Sequence, residues 1–208
     1  MIFRMWLIFL MLITLSVFCL LDPGGAQDTA INELPNVGSE PVIPPSTFRA
    51  EFLEELAFCE RRFLLLAEAM PAEKYSWRPA QGMRSVGGLF AHVVIANYNA
   101  VVALDQEQDP QSGPHSSFQP ETILAIAEDK PKIMEALKNS FGYLRARILN
   151  LSDGDGDKAQ RMFNRQTTLR GALMIIDRHL GQHLGQATTY ALINGVVPPW
   201  KQKVQIGP

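Results

Sequence analysis

The sequence predicts an all-α fold, an antiparallel four-helix bundle, on three observations. Apolar residues recur every three or four positions in four separate stretches. Proline, glycine and capping residues punctuate those stretches, and no stretch shows the two-residue alternation of a strand. With 208 residues, 47% hydrophobic and 19% charged, the chain holds enough apolar material for one core. A formal charge of -2 without a cluster of Lys and Arg excludes the electrostatic footprint of a nucleic-acid binder.

Residues 1–26 read as a secretory signal peptide. Arg4 is the only charge before an apolar run over 5–21, a break follows at Asp22-Pro23, and Gly24-Gly25-Ala26 supplies small residues for a cut after Ala26. The protein is therefore expected to be exported, periplasmic or secreted, with no membrane span once the signal is removed. Left uncleaved, the apolar run lies at the short end of bilayer-spanning length and would anchor it. Residues 27–46 turn to Pro, Gly, Asn, Ser and acidic side chains without periodicity and read as a disordered linker. The helical domain is expected over 47–200, with 201–208 as a C-terminal tail.

Within that domain Phe48, Phe52, Leu56, Cys59, Phe63, Leu66 and Met70 form one helical stripe, capped at Ser46-Thr47 and stopped at Pro71. Cys59 lies on the stripe, which makes it a small buried apolar residue rather than a reactive thiol. Cys19 falls in the signal, so the mature chain has no partner for Cys59 and no internal disulfide. Tyr75, Trp77, Pro79 and Gly82 mark an ordered loop. Ser85 then caps a second helix with Val86, Leu89, His92, Val93, Ala96, Ala100, Val101 and Leu104 on its apolar side.

A polar connection over 105–120 carries His115, whose loop setting predicts exposure and not a ligand role. A third helical pattern runs over 120–149 through Ile123, Ile126, Ile133, Leu137, Phe141, Leu144 and Ile148. Pro131 inside it predicts a kink or two helices in place of one. Asp153-Gly154-Asp155-Gly156-Asp157 resembles a calcium loop but has Lys158 and Asn164 where that loop needs Gly and Glu, which leaves a solvated turn. Residues 158–168 are mixed and polar, and predict an irregular excursion. The last helix, capped by Thr167 or Thr168, carries Leu169, Leu173, Ile176, Leu180, Leu184, Ala187 and Ala191, with Gly195 and Pro198-Pro199 as its end signals.

The chemistry concentrates in His179-Leu180-Gly181-Gln182-His183-Leu184-Gly185-Gln186. Residues i and i+4 share one helix face, so both imidazoles can reach one ion. His92, on the apolar face of another helix, is a candidate third donor, although an imidazole there is, taken alone, more often a hydrogen-bonded core residue than a ligand. Three imidazoles suit Zn2+, Ni2+, Fe2+ or Mn2+ and leave a coordination position open, the arrangement of a catalytic rather than a closed structural site. No Glu follows His179, which excludes the H-E-x-x-H protease arrangement. Gln182, Gln186 and Asn97 are candidates to hydrogen-bond the ligands, and Tyr190 to act as an acid or orienting hydroxyl.

Three segments carry a resemblance. Tyr75-Ser76-Trp77-Arg78-Pro79, then Arg84-Ser85-Val86-Gly87-Gly88-Leu89 running into Ala91-His92-Val93, and the His179 to Gln186 segment followed by Tyr190, Asn194-Gly195 and Pro198-Pro199 resemble, in order, the DinB family. The resemblance covers roughly 48–200. It implies a four-helix domain that binds one divalent metal through His92, His179 and His183. Relatives include thiol-dependent S-transferases and an isomerase, which implies a transferase or hydrolase acting on a small-molecule substrate, with a thiol among the candidates, and a homodimer. The export signal departs from that pattern, since a thiol cosubstrate is harder to supply outside the membrane. A non-enzymatic metal-binding or interaction protein on the same bundle is the alternative.

Overall fold

The computed structural model describes residues 47–105 and 118–201. The expected signal peptide, the linker, His115 and all but the first residue of the tail lie outside the described residues.

Four long helices carry the domain: α1 (Phe48–Ala69), α2 (Val86–Leu104), α4 (Lys130–Leu149) and α5 (Leu169–Ile193), with a short α3 (Pro120–Ala125) between the second and third. Each long helix begins on a side chain that accepts from an otherwise unbonded first-turn amide. Thr47 accepts from Ala50, Ser85 from Gly88, Asp129 from Lys132 and Thr168 from Gly171. Pro131 falls in the first turn of α4, where its missing N–H costs nothing. The stretch 120–149 is thus two helices, with the break just before the proline. At the other end of α5, Gly195 takes φ +75, and the amides of Gly195 and Val196 donate to the Leu192 and Ala191 carbonyls. That reversal closes the helix and needs a residue without Cβ strain.

The helices pack in the cyclic order α1, α4, α2, α5. Their directions follow from named contacts. Arg49 at the start of α1 donates to the Leu149 and Leu151 carbonyls at the end of α4, and Lys130 at the start of α4 donates to Glu68 and Met70 at the end of α1, so these two run antiparallel. Asn97 with Ser140 and Arg147 with the Leu104 carbonyl make α2 and α4 parallel. Arg170 over the Phe48 ring, with Leu173 beside Phe52 and Asp177 beside Glu55, makes α1 and α5 parallel. Two neighbouring pairs are therefore parallel, where the sequence reading expects antiparallel neighbours throughout. The sequence separation between the end of α2 and the start of α4, residues 105–129, is long enough to permit a parallel pair.

The core is continuous, with Leu56, Phe63, Phe90, Ile133, Phe141 and Leu144 among its most enclosed side chains. Cys59 is 3% exposed within it. Burial, reinforced by Asp177 and Glu55 against Arg62, pushes its thiol up to about 11, as suits a packing residue. By length and composition α2 could cross a membrane, but Ala91, Val93 and Val94 are fully enclosed in the bundle, the pattern of a core helix.

Two features fix the end of α2 that leads to the site. The loop after α1 is pinned by Tyr75, whose hydroxyl donates to the Ala67 carbonyl, while its own carbonyl accepts from Gly87. At Gly87 a Cβ would stand 1.8 Å from the Ala127 carbonyl oxygen, so only glycine permits this approach.

The expected irregular excursion over 158–168 is instead a β-hairpin, β1 (Ala159–Met162) paired antiparallel with β2 (Arg165–Thr168). Its turn is Phe163-Asn164, with Phe163 at φ 53. Met162 alone is buried in it, and Gln160 ties it to the Ala103 carbonyl. So little apolar alternation and no glycine in the turn left no strand signal to read.

Candidate metal centre

His92 sits in the second turn of α2, and His179 and His183 are successive turns of α5, which runs antiparallel beside it. The structure brings the three rings together. The Nε2 atom of His92 lies 3.2 Å from that of His179 and 3.0 Å from that of His183, and the latter two are 3.0 Å apart. Ring centroids stand 4.4 to 5.2 Å apart with the planes tilted by 56° to 75°, so the rings converge edge-on and do not stack.

This donor set fits one divalent ion. Nitrogens bound about 2.0–2.1 Å from a common centre stand roughly 3.0–3.4 Å apart. A neutral imidazole carries one N–H and one lone pair, so three Nε2 atoms this close offer one another few donors, whereas one cation can accept a lone pair from each. The tautomer of one ring is set by the chain: Nδ1 of His183 donates to Oε1 of Gln186 at 2.6 Å, which leaves Nε2 with its lone pair.

Electrostatics hold the rings neutral. Burial, then Arg84, then the other two rings push His92 down to about 4. Burial, then His183, Arg84 and Arg178 push His179 down to about 4. His183 is lowered by burial and Arg84, against the Gln186 bond. Neutral imidazole is the form that binds metal.

The other residues named from sequence fall in different places. Gln182 is exposed on α5. Asn97, 1% exposed, donates to Ser140, which in turn donates to the Leu137 carbonyl, so its amide ties α2 to α4. Tyr190 is buried with its ring edge-on to Trp77 at 5.7 Å. It also lines a cavity of about 470 Å³ together with Gly82, Met83, Arg84, Leu89 and Gln186. Leu89 lies one turn before His92 and Gln186 one turn after His183, which sets this cavity beside the histidines. Arg84 is the residue that sequence reasoning passed over as a site residue. Its one signal is position, a cation directly before the cap of the helix that carries His92.

Comparison with known proteins agrees with this architecture. A family model described as the DinB superfamily matches residues 55–187. The crystal structure of a DinB-like protein from Bacillus subtilis is similar in fold, with a TM-score of 0.56 at 18% identity, over 74% of this chain and 99% of that one. No curated protein matches the chain.

Proposed function

The chain belongs to the DinB superfamily, and from that premise we propose that it is an exported divalent-metal-binding protein whose His92, His179 and His183 form an open, enzyme-like site for a small molecule. The observation that carries this reading is the convergence of three Nε2 atoms within 3.2 Å of one another across two helices. Export rests on the signal-like composition of residues 1–26.

A Zn2+, Ni2+, Fe2+ or Mn2+ ion held there supplies Lewis acidity, which brings a water or a thiol to its anionic form near neutral pH. The chain's own residues do the rest. The three imidazoles leave at least one coordination position for water or substrate. Gln186 holds His183 in the tautomer that presents Nε2. Among the described residues no carboxylate lines the adjacent cavity. Tyr190 lines that cavity and is the candidate for an acid or orienting hydroxyl. This combination suits a metal-dependent transferase or hydrolase in which the nucleophile is not activated by a side chain.

Thermal unfolding of the mature chain with and without added metal tests the reading. Binding to the folded state alone raises stability by about 2.7 kcal/mol at a hundredfold excess over Kd. His92→Ala and His183→Ala are expected to lose that rise. Unchanged stability with Zn2+, Ni2+, Mn2+ and Fe2+ alike would contradict it.

A further inference from the structure

We propose that the cavity beside the three histidines selects small carboxylate-bearing molecules, and that Arg84 holds their negative charge. The inference rests on the metal-site reading above and names the substrate class of that same site.

The cavity volume of about 470 Å³ suits a small molecule. Its apolar walls come from Leu89 and Met83, and its polar groups are Arg84, Gln186 and Tyr190. Gln186 already has its carbonyl oxygen on His183. Arg84 is exposed and, like several other surface arginines, has no carboxylate partner among the described residues; it is the one arginine that lines this cavity. Nor does the chain offer a rival anion site at the start of α2. The Val86 amide donates to the Trp77 carbonyl, the Gly87 amide to the Tyr75 carbonyl and the Gly88 amide to Ser85 Oγ, so those first-turn donors are spent.

Among the described residues the cavity lining therefore carries one cation, Arg84, and no anion. A neutral hydroxyl or carbonyl ligand offers the guanidinium only an uncharged acceptor, which makes a weaker bond. A carboxylate accepts two parallel charge-assisted bonds from the planar fork. A ligand with a metal-binding atom at one end and a carboxylate at the other would meet positive charge at both ends. One with an ammonium group would be repelled at both.

The test uses the Co2+-loaded protein and a graded set of probes: mercaptoacetate, 3-mercaptopropionate and 6-mercaptohexanoate, each against the mercaptoalcohol of the same length. Affinity is read from the thiolate-to-cobalt absorption. For at least one length the acid is expected to bind about tenfold tighter than the alcohol. Arg84→Ala should bring the acid-to-alcohol ratio near one, and Arg84→Lys should restore part of the preference. No preference at any length in the wild type, or a preference that survives Arg84→Ala, overturns the proposal. Co2+ uptake without preference ends this inference alone, whereas a chain that takes up no Co2+ ends the metal-site reading and this inference with it.

Discussion

Oε1 of Gln186 accepts from Nδ1 of His183 at 2.6 Å, one turn along the same helix. The side chain that points the ligand is thus carried by the helix that carries the ligand, and its reach does not depend on how the bundle packs. Replacing Gln186 with Leu should leave the fold intact and weaken Zn2+ binding about 10–100-fold. Competition against a chelator of known affinity measures it. An unchanged affinity would mean that the tautomer of His183 is set elsewhere.

Acid should destabilise the metal-free chain through the same cluster. His92 and His179 are pushed from an ordinary 6.5 down to about 4, so between those values the unfolded chain binds more protons than the folded one. Their contribution is fully present above about pH 6.5 and is lost as pH falls through 4. Urea unfolding midpoints of the metal-free chain should fall across that window, and His92→Asn should flatten part of the fall. A wild type and variant that decline in parallel would contradict the assignment.

Phe163 tests the hairpin. At φ 53 it occupies the left-handed region, and its side chain is 46% exposed, so little packing compensates the strain. Phe163→Asn, a residue that tolerates this conformation, should stabilise the chain by about 1 kcal/mol in chemical denaturation. A loss of stability would show that the phenyl ring packs to more effect than its exposure implies.

Much of the fold was legible because local rules and global packing agree along this chain. The stripes from Phe52 to Met70 and from Leu169 to Ala191 are core faces. The caps at Thr47, Ser85 and Thr168 and the reversal at Gly195 sit where their side chains predict. Pro131 left two readings open, and the cap on Asp129 selects two helices. Helix direction was not legible, because an apolar stripe reads the same whichever way its neighbour runs. The hairpin was not legible either, since β1 and β2 bury only Met162.

For the site, the four-residue spacing of His179 and His183 places them on one face from sequence alone. Their meeting with His92 depends on the rotation and direction of α2, which Gly87 at the Ala127 carbonyl and Asn97 at Ser140 help to set. Arg84 escaped notice because its role comes from a cavity assembled by a loop and two helices, which no spacing rule encodes.

The central claim is that His92, His179 and His183 hold one ion and leave a position open. X-ray absorption spectroscopy on the Zn2+-loaded chain tests it most directly. The account predicts three imidazole nitrogens at about 2.0–2.1 Å with an additional, exchangeable oxygen donor. A site closed by four protein ligands, or zinc without an imidazole shell, would contradict it.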